Sequence, residues 1–220
     1  MCHNLEAIAF KFAFNTMHNF EGTNNVSKDR PKNSVEALQR LKKGNKRYSG
    51  DKCQYFGHDK GTRKKWTKTQ KPFAIVLSCA DSRVMPEIVF DCGVSDLFVV
   101  RVAGNIADQT SLASIEYAIA ELEVGLIVVL GHESCGAVKA AMSIGNKSLG
   151  HNLDMLLAHL KPAVDGARGK TKEAKIASAV KRNVKLTVND LESRSKVIED
   201  ANPLIVPAYY NLASGIVSFL

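Results

Sequence analysis

The chain has 220 residues, 45% hydrophobic and 24% charged, a composition that excludes a wholly disordered protein. It has no apolar run near the roughly 20 residues needed to cross a bilayer, which excludes an integral membrane protein. Net charge is +8, but residues 28–71 hold 15 basic against 4 acidic side chains, so the excess is local, unlike a uniformly basic nucleic-acid domain; it reads as a solvated basic surface, with attraction of anions to that face as the sharper alternative.

Five cysteines, odd in number and sparse, suit reduced thiols or metal ligands better than a disulfide scaffold. Residues 1–33 read as an extension. Leu5 to Phe14 is apolar but interrupted by Glu6 and Lys11, and no Lys or Arg precedes it. It reads as an amphipathic segment, with a degraded export signal as the alternative. The compartment is then cytoplasmic, or exported and periplasmic on the second reading. Residues 21–33 are polar and turn-rich, as in a linker.

Asn33 followed by Glu36 has the spacing of a capping box, and Val35, Leu38 and Leu41 predict a helix from 34 to about 48. Residues 50–71 are basic without a clear period. Phe73–Ser78, Leu97–Val102 and Leu126–Leu130 are short continuous apolar runs, as in strands covered on both faces of a parallel sheet. Between the last two, Leu112, Ile115, Ile119 and Leu122 mark a helix, so the unit reads βαβ. Helices are predicted over 136–143, 153–164 and, as one long element, 173–200. Residues 204–210 and 216–219 read as a terminal hairpin. The fold class is α/β: a mostly parallel central sheet flanked by helices, with an N-terminal helical arm and a C-terminal hairpin.

Two segments carry chemistry. Cys79-Ala-Asp-Ser-Arg83 follows the first strand and His132-Glu-Ser-Cys135 the third. Ligands gather outside the carboxyl ends of parallel strands, so Cys79, His132 and Cys135 share one edge. Two thiols and an imidazole favour zinc, and three protein ligands leave a fourth position open, as in catalytic sites. Buried cysteines with a structural histidine are the bland alternative. Asp81 and Arg83 form either a rigid carboxylate–guanidinium fork beside the metal or a simple helix-starting salt bridge. The string lacks a Cys-x5-Arg phosphatase loop, a Gly-x-Ser-x-Gly elbow, a Cys-x-x-Cys pair and a Walker loop.

The Cys-x-Asp-x-Arg segment followed some fifty residues later by His-x-x-Cys resembles the β-class carbonic anhydrases. The likeness runs from about residue 34 to 220 through Pro86, Phe98-Val-Val-Arg101, Gly104-Asn105, Ile115-Glu-Tyr117, Gly131 and Gly136-Ala-Val138. It implies a catalytic domain over 34–220 and one zinc ion per chain, held by Cys79, His132 and Cys135. It implies an Asp81–Arg83 dyad, hydration of CO2 to bicarbonate and a proton by zinc-bound hydroxide, and a homodimer, often paired into a tetramer. It also implies that Gln70, Phe98, Tyr117 and Gly136 line the substrate pocket, with core packing as the alternative reading of the two aromatic residues. Two departures stand away from the metal ligands: Ala80 where many members have Ser, and Val102-Ala-Gly-Asn105 for a common Asn-Ile-Ala-Asn. Val76 stands where members with a regulatory bicarbonate site carry Trp, so that site is not expected here, and Asp81 is expected off the metal.

Two thiolates cancel the formal charge of zinc, so activity is expected to rise with pH through a group titrating above about 7. His151 and His159 have no assigned place in proton export, and Cys92 is expected to serve packing. Other readings are attack on carbonyl sulfide or carbon disulfide, and a silent zinc domain that binds nucleic acid through its basic segment. The partners expected are the small substrate and a second copy of the chain, with no nucleic acid and no membrane.

Overall fold

A computed structural model describes residues 30–55, 57–145 and 147–220; the amphipathic or export-signal reading of Leu5 to Phe14 and the linker reading up to residue 29 lie outside the described residues. The elements in chain order are α1 (Ser34–Ser49), α2 (Lys60–Lys65), β1 (Ala74–Ser78), α3 (Pro86–Val89), β2 (Leu97–Arg101), α4 (Gln109–Leu122), β3 (Leu126–His132), α5 (Gly136–Ser143), α6 (His151–Asp165), α7 (Lys172–Arg194), α8 (Lys196–Ala201), β4 (Leu204–Tyr210) and β5 (Val217–Phe219). The strands form one sheet in the order β2-β1-β3-β4-β5. The first four are parallel and β5 is antiparallel to β4, which matches the expected α/β class. The β2–α4–β3 crossover passes over β1 rather than joining neighbours.

The helix ends follow their side chains. Asn33 Oδ1 accepts the Glu36 N–H at 2.9 Å, while Glu36 Oε2 accepts the N–H of Lys32 at 2.9 Å, so the capping box closes one residue early. Asp108 caps α4 by accepting the Ser111 N–H at 2.8 Å. Such caps contribute about 1 kcal/mol each. The long helix predicted over 173–200 is two helices. Ser195 leaves the helical region at φ −128° and ψ 114° and caps α8 through the Ile198 N–H, while its hydroxyl donates to Glu116 on α4 at 2.6 Å. The apolar period continues across the break, which is why periodicity alone misses it.

Alternating residues of β1 and β3 build a core on each face. Val76, Val128 and Leu130 pack with Leu41 and Phe90 beneath α1 and α3. Ile75, Leu77, Ile127 and Val129 pack with Ile115, Val184 and Ile198 beneath α4, α7 and α8. Val76 is fully buried in the first of these cores. Cys92 is buried there too, and burial pushes its thiol up, as a packing role requires.

Asn45 on α1 joins distant parts of the chain. Its amide donates to the carbonyls of Val89 at 3.1 Å and Gly215 at 2.8 Å, and its oxygen accepts the Val217 N–H at 2.8 Å. One turn away Tyr48 and Tyr210 share a hydroxyl contact at 3.1 Å. α1 reaches α3 at Gly44, where an added Cβ would stand 1.8 Å from the Phe90 carbonyl oxygen.

Ala is favoured over Gly by about 1 kcal/mol in an open helix. Here Gly44→Ala forces two backbones apart, and a loss of about 1–3 kcal/mol is expected, read from the chemical denaturation midpoint. An unchanged or raised midpoint would show that α1 docks differently.

Candidate metal centre

β1 and β3 are neighbours, with Ser78 level with Leu130, so the residues that follow them meet at one edge of the sheet. Cys79 comes directly after β1. His132 closes β3, and Cys135 is the residue before α5. The Sγ atoms of Cys79 and Cys135 lie 4.0 Å apart. The ligand atoms of Cys79, His132 and Cys135 all fall within 4.8 Å of one another, and all three residues are buried.

Each ligand is oriented by the chain around it. His132 Nδ1 lies 2.9 Å from the Glu133 carbonyl, so Nδ1 carries the proton and Nε2 presents a lone pair. Nε2 is buried and has no hydrogen-bond partner among the described residues. The loop after His132 is held by the Glu133 N–H donating to Tyr210 at 2.8 Å and by Glu133 Oε2 accepting the Leu212 N–H at 3.0 Å. Ser134 turns it at φ 55°. Cys79 Sγ accepts the Gly104 N–H at 3.4 Å.

As a pair of thiols, Cys135 donating to Cys79 lowers the Cys79 pKa against its own burial, with help from the Gly104 N–H. The same contact holds Cys135 up, because a second negative charge beside the first is unfavourable. A divalent cation among the three atoms relieves that repulsion and gives Nε2 the partner it lacks. Two sulfurs and an imidazole are a zinc donor set, so the residues fit the metal the sequence implied.

Asp81 and Arg83 sit beside this group. Arg83 grips both carboxylate oxygens, Nε to Oδ1 at 2.9 Å and Nη2 to Oδ2 at 2.7 Å, and the Arg83 N–H donates to Oδ1 at 3.0 Å. The guanidinium fork holds the Asp81 carboxyl well below the usual carboxylate range. Asp81 Oδ2 lies 3.9 Å from His132 Nε2. Arg101 at the end of β2 fastens the same loop by donating to the carbonyls of Cys79 at 3.2 Å and Asp81 at 2.7 Å.

Gly136 is the exposed first residue of α5, with open space where a Cβ would stand. The other three pocket residues do not join the cluster within one chain. Gln70 precedes β1 and Cys79 follows it, and five strand residues at about 3.3 Å each separate them. Gln70 lines a separate cleft of about 580 Å³ with Arg30, Lys32 and Phe73. The N–H groups beside it are held by Ser95 Oγ and the Asp96 carbonyl, next to the start of β2. Phe98 on β2 and Tyr117 on α4 have ring centroids 6.3 Å apart, and Tyr117 is 50% exposed. All three therefore lie along the β2 edge of the sheet.

Sequence reasoning passed over Arg101 and Gly104 as parts of the site, and Asn183 altogether. The signal for the last was present: Asn183 falls on the apolar stripe of α7 between Val180 and Val184, where it is buried.

The carbonic anhydrase family model matches residues 74–217. The chain is 39% identical over 189 residues to carbonic anhydrase 2 of Mycobacterium tuberculosis, across 83% of this chain and 91% of that protein. It is 39% identical over 190 residues to a carbonic anhydrase of Mycolicibacterium smegmatis, with the same shares covered. Among solved structures it resembles the β-carbonic anhydrase CafA of Aspergillus fumigatus, with a TM-score of 0.66, 26% identity, and 84% and 89% of the two chains covered. A tetrameric β-carbonic anhydrase of Sordaria macrospora, at 23% identity and a TM-score of 0.66 over 83% and 96% of the two chains, shares the fold. The chain belongs to the carbonic anhydrase family, in its β class, and is an enzyme of the lyase type.

Cys79→Ser is expected to bring the zinc content of the purified protein well below one ion per chain, as measured by atomic absorption. A full complement of zinc in that variant would refute the ligand set.

Proposed function

We propose that Cys79, His132 and Cys135 hold one zinc ion and that the chain hydrates CO2 reversibly to bicarbonate and a proton. The observation that carries this reading is the buried convergence of two thiols and an unpartnered imidazole nitrogen within 4.8 Å, in a chain of the β-carbonic anhydrase family. When bound, zinc supplies the Lewis acidity that makes a water nucleophilic near neutral pH.

The chain's own groups then divide the work. Asp81 stays ionised because Arg83 occupies both of its oxygens, and a carboxylate engaged in this way stands beside the metal rather than on it. From there Oδ2 accepts a hydrogen bond from the nucleophilic water and orients it. The buried walls keep competing water away from the ligands. The first core face, at Val76, is filled by apolar side chains, a setting that does not favour a regulatory anion site there.

The catalytic unit spans residues 34–220, because α1 is bonded into both α3 and the terminal hairpin. Its working form is a homodimer. β2 is an edge strand with half-buried side chains, and Gln70, Phe98 and Tyr117 lie along that edge, away from the metal ligands of their own chain. A second copy docked there carries these three residues to the first copy's pocket, where Gln70 contacts the substrate and the two rings line the path of CO2. Pairing of dimers into a tetramer fits the assembly of the Sordaria macrospora enzyme. Among the described residues no helix is long and apolar enough to cross a membrane.

Asp81→Asn keeps the shape but not the charge, and it is expected to retain zinc while losing about 100-fold or more of turnover in a stopped-flow CO2 assay. In the unaltered enzyme, activity is expected to rise with pH through a group above about 7; a flat profile from pH 6 to 9 would count against the charge argument. Mixing Asp81→Asn chains with Gln70→Ala chains tests the shared pocket. If Gln70 acts across the dimer, hybrids contain one intact site and activity returns; if it acts within its own chain, the mixture stays as inactive as its parts.

A further inference from the structure

The turn that follows β2 is tied at both ends. Gly104 lies at φ 73°, in the left-handed region that glycine enters without steric cost. Before it, the Val102 N–H donates to the Ser78 carbonyl at 3.0 Å, and the Asn105 N–H reaches back across it to the Val102 carbonyl at 2.9 Å. After it, the Gly104 carbonyl accepts the Asn183 side-chain amide at 2.8 Å, and the Asn105 carbonyl accepts the Thr187 hydroxyl at 3.4 Å. The Gly104 N–H faces the sulfur of Cys79 at 3.4 Å.

Asn183 is 3% exposed and belongs to the face of α7 that packs on β3. Its neighbours Val180 and Val184 crowd Gly131, where an added Cβ would stand 2.5 Å from a Val184 methyl and 2.8 Å from a Val180 methyl. An apolar side chain would fill this position without the desolvation cost of an amide. The amide offsets that cost through its bond to a backbone carbonyl 79 residues away in sequence. That bond removes the freedom Gly104 would otherwise have, and so fixes the direction of its N–H.

We propose that Asn183 is a positioning residue for the metal centre: by pinning the Gly104 carbonyl it keeps the Gly104 N–H aimed at the Cys79 sulfur. The hydrogen bond draws charge from the sulfur and holds the Cys79 side chain in its ligating orientation, as outer partners of metal ligands do. The proposal rests on the reading of Cys79 as a zinc ligand. α7 then serves the site from behind on two counts, packing against the strand that carries His132 and orienting the donor to Cys79.

The test uses the full-length zinc protein with Asn183→Ala, Asn183→Asp and, as a neighbour control, Thr187→Val. Zinc release to a chromophoric chelator is expected to quicken about 10- to 100-fold in both Asn183 variants, and less in Thr187→Val. After cobalt(II) substitution, the sulfur-to-cobalt charge-transfer band is expected to move to lower energy in the Asn183 variants, because the sulfur has lost its donor. A merely structural Asn183 would lower the melting temperature and leave the band in place, and folded Asn183 variants with unchanged band and release rate overturn the proposal. Should neither variant fold, the unaltered protein loaded with cadmium-113 decides: a through-bond coupling between the metal and the Gly104 amide proton supports the geometry, and its absence overturns it. An unaltered protein that binds no zinc, or a Cys79→Ser protein that keeps it, refutes instead the ligand reading beneath the proposal.

Discussion

The adjacency of two parallel strands governs the site. β1 and β3 pair in register and both are buried along their full length, so a slip of either would carry every side chain into the opposite core, where the close packing does not fit it. β1 therefore ends level with Leu130, two residues before β3 ends at His132, and Cys79 and His132 emerge at the same edge of the sheet. The thiol after β1, the imidazole that ends β3 and the thiol before α5 need no long-range search; the sheet delivers them together. The surrounding hydrogen bonds refine a meeting that strand pairing has already made.

Charge explains why such a meeting calls for a cation. Two sulfurs 4.0 Å apart in a buried setting cannot both ionise cheaply, and the Asp81 carboxylate stands close by. The guanidinium of Arg83 balances the carboxylate, while Arg101 is spent on backbone carbonyls. Neither neutralises the sulfurs. A divalent ion held by the two thiolates and His132 would balance them and leave Asp81 with its own partner. On the proposed reading, the dyad and the metal ligands would be two separately neutralised groups side by side, leaving the carboxylate to act on water instead of binding the metal.

Most of this was legible in the chain. Continuous apolar runs identified the three central strands, since strands covered on both faces carry no polar alternation, and the position of Cys79, His132 and Cys135 just beyond them identified the shared edge. What the string withheld depends on geometry that periodicity does not encode. The break at Ser195 is invisible because Val188, Leu191 and Ile198 keep the helical period on both sides of it. Gln70, Phe98 and Tyr117 matched the family by position, yet their separation from the ligands appears only once β1 is seen to run between Gln70 and Cys79. Asn183 was hidden by its setting, a single amide in an apolar stripe whose partner lies on another element.

The hydrogen bonds of Asn45 have a bearing on how the molecule is made. They latch the first helix to the last hairpin across 170 and 172 residues, so the first core cannot close until the end of the chain is available. Contacts so distant in sequence form late. During synthesis the ribosome delivers both thiols and the imidazole well before α7, β4 and β5 exist to shape them. The donor set is thus complete in the polypeptide before the elements that order its surroundings, and on the proposed reading a metal would find its full cage only in the finished fold.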